Sequence, residues 1–272
     1  MFGCATQNEV ASGHSVIHKE QTMKYMGSKA RFKKELLPII LNNRKVNQWY
    51  VEPFAGGMNM IDGVVGNRIA TDNNKYLIAM WNGIKKGIIY PPEIGKSLYD
   101  LARDVFNGRE KRFEHLMNMT DDIVGWIGFM ASANGRFFEG GYSGKSNTKI
   151  GTVRDYIAES IRNIKKQIPL MIDVNFICSE YNQLEIPEDS IIYCDIPYKG
   201  TKQYSTSKGF NHNQFWDWVR DKSKKHQIFV SEYNAPEDFE CVWEKVAKSS
   251  LSANGEIGGN KISTEKLFTY CA

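Results

Sequence analysis

The sequence has the length and composition of an ordinary globular protein. It contains 272 residues, of which 42% are hydrophobic, 24% charged and 12% aromatic, and its formal net charge is +4. This balance excludes a disordered or fibrous chain. No apolar run approaches the roughly 18 to 20 residues that a membrane helix needs. The lack of such a run predicts a cytoplasmic location. The cysteines are odd in number and lack paired metal-ligand spacing, which predicts reduced thiols and no bound metal; they are Cys4, Cys178, Cys194, Cys241 and Cys271.

The first third of the chain predicts a leader followed by alternating strands and helices. Residues 1–22 are polar and weakly periodic, as in a flexible leader. The segment Trp49 to Val51 is typical of a strand that breaks at Glu52-Pro53 and the Gly56-Gly57 pair. A short helix over 58–66, a second strand ending at Asp72 and a helix beginning at Lys75 are expected next.

The pattern changes over residues 85–164 and then returns. Helical spacing over 93–106 and 110–131 precedes a loop rich in glycine and aromatic residues, "NGRFFEGGYSGKSN", and an amphipathic helix over 154–168. Strands are predicted again at 173–179, 190–195 and 227–233, with a helix over 213–226 between the last two. Such alternation predicts an α/β fold with a mainly parallel sheet, split by a mostly helical insertion.

Three of the predicted strands end in polar or acidic residues. The first ends in "EPFAGG", whose glycines allow a ligand to approach the backbone closely. The second ends in Asp72, where a carboxylate can hold the ribose hydroxyls of a nucleoside cofactor. In parallel sheets ligands bind beyond the carboxyl ends of the strands. Glycine pairs are common in tight turns, so this motif needs support from elsewhere in the chain.

The third strand ends in "CDIPY", which supplies that support. The Asp195 carboxylate and the neighbouring main-chain carbonyl, fixed by Pro197, offer two acceptors for the two hydrogens of an exocyclic amine. An amine held in this way can attack an electrophilic methyl group, while Tyr198 stacks against the base. The alternative is a strand that ends in a turn with a solvated aspartate.

Basic residues are concentrated in two stretches. Residues 24–45 contain seven lysines and arginines against the single acid Glu35, and residues 136–154 contain four against Glu139. Each stretch is either a solvated face or a surface that meets a polyanion.

Together these motifs resemble the Dam-like adenine-N6 DNA methyltransferases of the alpha group, particularly the phage type. "KYMGSKARF", "EPFAGG", "ATDNN", "CDIPYKGTKQY" and "VSEYNAP" stand in the order found in that family, from roughly residue 23 to the end. The resemblance implies a Rossmann-like methyltransferase sheet that uses S-adenosylmethionine, with a catalytic domain in two parts, 23–84 and 165–272. The insertion over 85–164 would be a mostly helical target-recognition domain. The implied reaction is methylation of the N6 amine of an adenine flipped out of double-stranded DNA.

The resemblance also implies roles for individual residues. The catalytic group is Asp195, Ile196, Pro197 and Tyr198. The cofactor-binding group is Tyr25, Lys29, Glu52, Phe54, Ala55, Gly56, Asp72, Phe176 and Asp195. The DNA-binding group is Arg31, Lys33, Arg136, Tyr142, Lys145, Lys199 and Lys208. The glycine-bearing stretch "TSKGFNH" is expected to close over the site when ligands bind.

Ile196 departs from the family, whose tetrapeptide usually carries proline at that position. The chemistry requires only the backbone carbonyl there, and a residue before Pro197 is already biased toward extended geometry. We therefore expect an active enzyme, somewhat slower than its relatives.

Three other functions remain open from the sequence. The substrate amine could belong to an RNA base or a glutamine side chain, or to cytosine N4, although enzymes of the last kind tend to carry serine where Asp195 stands. The chain could also be a catalytically impaired DNA-binding relative. A monomer or weak dimer is expected, with a restriction enzyme as an unproven partner, and the recognised DNA sequence does not follow from the resemblance.

Overall fold

The computed structural model describes residues 22–108, 119–148, 150–200, 209–248 and 262–271. Apart from Thr22, the predicted leader lies outside these residues. The strands are β1 (Tyr50–Glu52), β2 (Arg68–Asp72), β3 (Lys145–Asn147), β4 (Val153–Asp155), β5 (Val174–Cys178), β6 (Ile191–Asp195), β7 (Gln227–Glu232), β8 (Phe239–Lys248) and β9 (Ile262–Tyr270). The α-helices are α1 (Lys33–Ile40), α2 (Lys75–Lys85), α3 (Lys96–Phe106), α4 (Asp121–Ala131), α5 (Tyr156–Gln167) and α6 (His212–Lys222).

Seven strands form one sheet in the order β5-β2-β1-β6-β7-β9-β8. The first five strands of this order pair in parallel, whereas β9 runs antiparallel between β7 and β8. The predicted α/β class and mainly parallel sheet are confirmed, and they are consistent with a methyltransferase fold. The parallel arrangement brings the carboxyl ends of β1, β2, β6 and β7 to the same edge. The sequence did not predict β8 and β9, whose mixed polar and apolar residues lack a continuous hydrophobic run.

Asparagine and aspartate side chains begin three of the helices. Asn74 accepts from the amides of Tyr76 and Leu77 at the start of α2. Asp155 caps α5, and Asn211 caps α6 by accepting from the amide of Gln214. These contacts satisfy amides that the first helical turn leaves unpaired.

The predicted helix over 58–66 is wrong. The structure has only a 3-10 turn at Ile61–Gly63, and Val64 is already extended. Met58 has a φ of +59°, in the left-handed region, so the backbone before the turn cannot be helical. Gly63 and the β-branched pair Val64-Val65 further disfavour a helix.

The predicted insertion shares its hydrophobic core with the sheet. Buried residues of α3, α4 and α5 belong to the same large cluster as residues of α1, α2 and the strands. Helix α4 lies against α2 at Gly125, where a Cβ atom would come within 2.1 Å of the Tyr76 carbonyl oxygen. The division into a catalytic domain and an insertion over 85–164 stays a prediction, because nothing here shows a separate domain.

A smaller cluster packs on the opposite face of the sheet, because it contains Val51 and Ile192 where the large cluster contains Tyr50 and Ile191. It also includes Ile196 and Phe215. The four cysteines within the described ranges are free thiols. In the same ranges, no helix combines the length and apolar character that crossing a bilayer requires.

The close approach of α4 to α2 makes Gly125 sensitive to substitution. We expect Gly125→Ala to lower the free energy of unfolding by about 1–3 kcal/mol, because the added methyl group has no room against the Tyr76 carbonyl. Gly95→Ser is the matched control, since nothing lies within 4 Å of a Cβ there and serine is a favourable residue before α3. Urea denaturation of both variants measures the difference. Equal stability of the two would contradict the packing described for Gly125.

Candidate active site

Acidic residues end four neighbouring strands of the sheet. Asp72, Glu52, Asp195 and Glu232 are the last residues of β2, β1, β6 and β7, which lie side by side. Glu52 and Glu232 are buried, and Asp72 and Asp195 are half-buried. Burying a carboxylate is unfavourable unless donors or cations compensate. The partners of these acids therefore define the chemistry of this edge.

Asp195 is compensated by Lys29. The Nζ atom of Lys29 lies 2.9 Å from Asp195 Oδ1, and Lys29 itself is only 8% exposed. Burial raises the pKa of Asp195, and the Lys29 ammonium opposes that rise. The structure thus brings together Lys29 and Asp195, which the sequence assigned to the cofactor and catalytic groups. The Lys29 ammonium is thus a buried donor that already contacts one oxygen of the Asp195 carboxylate.

Tyr198 lies beside the same pair. Its ring centroid is 4.4 Å from Lys29 Nζ, and the ring of Tyr233 contacts it edge-on at 4.6 Å. The Tyr198 hydroxyl donates to Glu265 Oε2 at 3.0 Å. Burial raises the pKa of Tyr198 well above its ordinary value, so the phenol stays protonated and keeps this role of donor.

Glu232 and His212 hold the turn that follows Asp195, and the sequence analysis assigned neither residue. The Glu232 carboxylate accepts from the Lys199 amide at 2.9 Å and from its neighbour Tyr233 at 2.7 Å. His212 Nε2 lies 2.9 Å from the Pro197 carbonyl, to which it can donate. Glu232 could have been found because it ends a strand within "VSEYNAP", as Asp195 does within "CDIPY". The contact of His212 depends on the tertiary structure.

The loop after β1 passes close to Tyr25. A Cβ atom on Gly56 would lie 2.8 Å from the Tyr25 ring, and one on Gly57 would lie 2.5 Å from Tyr25 Cβ. Gly56 has a φ of +48°, which favours glycine, and its amide donates to Asp72 Oδ2 at 3.1 Å. Ala55 is also in this loop and donates to the Thr71 carbonyl. The predicted cofactor residues of the first two strands therefore form one connected group.

Glu52 lies beneath this loop rather than on its surface. It is 3% exposed and accepts from the Tyr50 hydroxyl at 2.7 Å. Burial raises the pKa of Glu52 well above its ordinary value, and the hydrogen bond from Tyr50 opposes that rise.

Two aromatic residues assigned to the cofactor have different positions. Phe54 is half-buried and its ring stacks on Tyr181 at 5.3 Å, after the end of β5. Phe176 instead lies in the core, where its ring stacks on Trp81 at 5.6 Å. The structure does not bring Phe176 to the acids described above, because side chains alternate along β5 and this position faces α2. Tyr181, to which the sequence analysis assigned no role, lies closer to the loop after β1.

The segment before α1 is anchored by amide side chains that the sequence did not reveal. Asn59 Nδ2 donates to the Met23 carbonyl at 3.1 Å and lies 2.7 Å from Ser28 Oγ. Gln167, the last residue of α5, accepts from the Met23 amide and donates to the carbonyls of Gly57 and Met58. These contacts fix Lys29 relative to the loop after β1.

The basic stretch over 24–45 is not a single cationic surface. Lys33 turns inward to Asp62 at 3.0 Å, and Arg44 donates to main-chain carbonyls at Gln48, Val65 and Asn67. Arg31 is 45% exposed and lies 3.6 Å from Glu265. Of the predicted DNA-binding residues in this stretch, the structure thus leaves Arg31 accessible and Lys33 in an internal ion pair.

The remaining predicted DNA-binding residues lie apart from one another. Lys145 is 74% exposed on the antiparallel β3–β4 pair, and Lys199 is exposed in the turn that follows Asp195. Arg136 is half-buried, and Tyr142 donates its hydroxyl to the Ile94 carbonyl at 2.9 Å. Lys208 lies outside the described residues, as do Thr206 and Ser207 of the stretch expected to close over the site.

Ile196 has a structural role that the sequence analysis did not foresee. Its side chain is 3% exposed and belongs to the smaller hydrophobic cluster, together with Ile192 and Phe215. The residue therefore contributes packing beneath the turn as well as a backbone carbonyl.

The pKa of Glu52 has a consequence for stability. Because the folded state raises this pKa, it binds the proton more tightly than the unfolded chain does. The stability contributed by the protonated Glu52 carboxyl is therefore complete at low pH and is lost as pH rises. We expect Glu52→Gln, which keeps an acceptor for Tyr50, to raise the melting temperature by a few degrees at pH 8 and by less at pH 5. Glu185→Gln, at an exposed position, serves as the control. A gain in melting temperature that does not depend on pH would contradict the raised pKa of the buried Glu52 carboxyl.

Comparison with known proteins identifies the family. The model for the D12 class of N6 adenine-specific DNA methyltransferases matches residues 25–232. No curated protein matches the chain significantly. The matched region contains Lys29, Glu52, Asp72, Asp195 and Glu232, the residues around which this edge of the sheet is built. The chain belongs to the D12 class of N6 adenine-specific DNA methyltransferases, which are enzymes that depend on S-adenosylmethionine.

Proposed function

We propose that this enzyme methylates the N6 amine of an adenine flipped out of double-stranded DNA, with Asp195 and the Ile196 carbonyl accepting the two amine hydrogens. The observation that carries the proposal is the contact between Lys29 Nζ and Asp195 Oδ1 at 2.9 Å. A nitrogen donor is already held on the carboxylate, beside the ring of Tyr198, where the target amine is required. In the free enzyme, the Lys29 ammonium thus contacts the carboxylate to which the proposal assigns the substrate amine.

The residues at the ends of β1 and β2 fit S-adenosylmethionine. Asp72 offers a half-buried carboxylate to the ribose hydroxyls, and the loop over Phe54, Ala55 and Gly56 allows close approach of a ligand to the backbone. The stacked rings of Phe54 and Tyr181 provide an aromatic surface for the adenine group. When bound, S-adenosylmethionine supplies an electrophilic methyl group. Tyr25, which contacts the loop after β1, would lie at the carboxylate end of the cofactor, whereas the Lys29 ammonium, predicted from the sequence for the same end, lies between Asp195 and Glu265.

Asp195 prepares the amine in two ways. Its carboxylate accepts one amine hydrogen, and the carbonyl of Ile196 accepts the other, which turns the nitrogen lone pair away from conjugation with the base. The carboxylate can also receive the proton that the amine loses. Because burial raises the pKa of Asp195, the nearby Lys29 cation helps to keep the carboxyl ionised in the free enzyme.

Base flipping supplies the adenine to this site. Extruding a base costs a few kcal/mol, which stacking and hydrogen bonding in the pocket offset. Tyr198 provides a ring for stacking, and its position is fixed by the contacts with Tyr233 and Glu265. Immobilising the ring in advance reduces the entropy lost on binding.

We infer that the β3–β4 pair contributes to DNA binding. Lys145 is largely exposed on β3, and Arg154 on β4 is half exposed although it pairs with Glu159. Ile150, between the two strands, is 85% exposed. Exposed cations on a projecting pair of strands suit phosphate contacts, and an exposed apolar side chain between them suits contact with the DNA groove.

Substitution of Asp195 tests the proposed reaction. We expect Asp195→Ala to reduce transfer of labelled methyl groups to duplex DNA by about 10²–10⁴-fold, because one amine hydrogen loses its acceptor. Affinity for S-adenosylmethionine, measured by calorimetry, should change little. Asp217→Ala, at a position 76% exposed on α6, is the control. Digestion and sequencing of the DNA identify the modified base, and activity retained by Asp195→Ala would refute the assignment.

Substitution of Lys145 tests the DNA surface. We expect Lys145→Gln to weaken duplex binding and to reduce the slope of log affinity against log salt by about 1, as for the loss of one phosphate contact. Lys224→Gln is a matched control, because both lysines are 74% exposed. Lys224 precedes β7 and therefore lies at the edge of the sheet opposite the carboxyl ends of the parallel strands. Titrations by fluorescence anisotropy at several salt concentrations provide the comparison. Identical slopes for both variants would place the DNA on another surface.

A further inference from the structure

Glu265 is a buried carboxylate that lies in the active site but comes from a strand outside the matched family region. It is 6% exposed and belongs to β9, whereas the match ends at residue 232. Alternate residues of a strand share a face. Glu265 therefore faces inward with Leu267, which is fully buried. The pairing of Glu232 with Lys266 places Glu265 next to the end of β7.

Three residues of the site contact this carboxylate. Oε2 accepts from the Tyr198 hydroxyl at 3.0 Å and lies 3.7 Å from Lys29 Nζ. Oε1 lies 3.6 Å from the Arg31 guanidinium, which is partly exposed at the rim. Lys29 thus has two carboxylates within reach, Asp195 at 2.9 Å and Glu265 at 3.7 Å.

The position of Lys29 creates a conflict when substrate binds. An amine that binds Asp195 Oδ1, the oxygen that the ammonium contacts in the free enzyme, displaces the ammonium. Lys29 is 8% exposed, and a buried ammonium without an anion is strongly unfavourable. Glu265 is the second anion, already beside it, to which the ammonium can shift without leaving the site.

We propose that Glu265 is a positioning residue that holds the Lys29 ammonium while the target amine occupies Asp195, an inference that rests on the proposed function. Glu265 receives the lysine side chain when the base enters and returns it when the product leaves. Its hydrogen bond from Tyr198 couples this exchange to the ring on which the base stacks. The charge of Glu265, rather than its hydrogen bond alone, performs the role.

The experiment compares two DNA duplexes that differ only in the target amine. Both carry the sequence that wild-type enzyme methylates, one with adenine at the target and one with purine, which lacks the 6-amino group. Affinities are measured with S-adenosylhomocysteine present. Glu265→Gln keeps an oxygen acceptor for Tyr198 but removes the charge, so Lys29 should stay on Asp195. We expect the preference for adenine over purine to fall by about tenfold, comparable to the weakest measured couplings of close charge pairs.

A double-mutant cycle separates this role from a structural one. In Lys29→Met, no ammonium competes with the amine, so adding Glu265→Gln should leave the adenine preference unchanged. Glu244→Gln, an exposed position on β8 in the same strand pair, should behave as wild type. Thermal melting verifies that each variant is folded.

Two results would overturn the inference while leaving the proposed function intact. One is an unchanged adenine preference, or equal weakening of both duplexes, in Glu265→Gln. The other is an effect of Glu265→Gln that persists at full size in Lys29→Met. Failure of the proposed function is distinguished by the wild-type enzyme itself, which would then leave adenine in duplex DNA unmethylated.

Discussion

Buried carboxylates along one edge of the sheet require donors or cations, and this requirement organises the contacts at that edge. The neighbouring strands β2, β1, β6, β7 and β9 each contribute one acid there, Asp72, Glu52, Asp195, Glu232 and Glu265. Main-chain amides compensate the first and fourth of these acids, and the Tyr50 hydroxyl compensates the second. Lys29 lies between the remaining two. The loop after β1, the turn after Asp195 and strand β9 are therefore linked through the carboxylates whose charge has to be compensated.

The position of Lys29 depends on parts of the chain that are distant in sequence. The segment that carries Lys29 is held by Asn59, which follows the loop after β1, and by Gln167 at the end of α5. Gly57 permits this arrangement, because a side chain there would collide with Tyr25. The arrangement of α5 and the loop after β1 thus determines the position of the Lys29 ammonium. The ammonium in turn favours the ionised form of Asp195.

Membership of the D12 class decides between the functions that the sequence left open, in favour of adenine N6 in DNA over cytosine N4, RNA or glutamine. Ile196 does not disturb this conclusion. Its side chain packs under the turn in the smaller hydrophobic cluster, so the substitution replaces the rigidity of proline with buried apolar contacts. The Glu232 and His212 contacts further secure the turn from outside the tetrapeptide.

The sequence by itself determined the α/β class, most strands and helices, the family and the acids at Asp72 and Asp195, because strands and their acidic ends are local patterns. Predictions from the sequence failed where they depended on contacts between residues that are distant in the chain. Phe176 packs in the core, Lys33 pairs with Asp62, and β8 and β9 were not foreseen. Only the tertiary structure decided that Glu265 lies beside Lys29 and Tyr198, because that position depends on β9 pairing antiparallel with β7, and no local pattern of residues encodes that pairing.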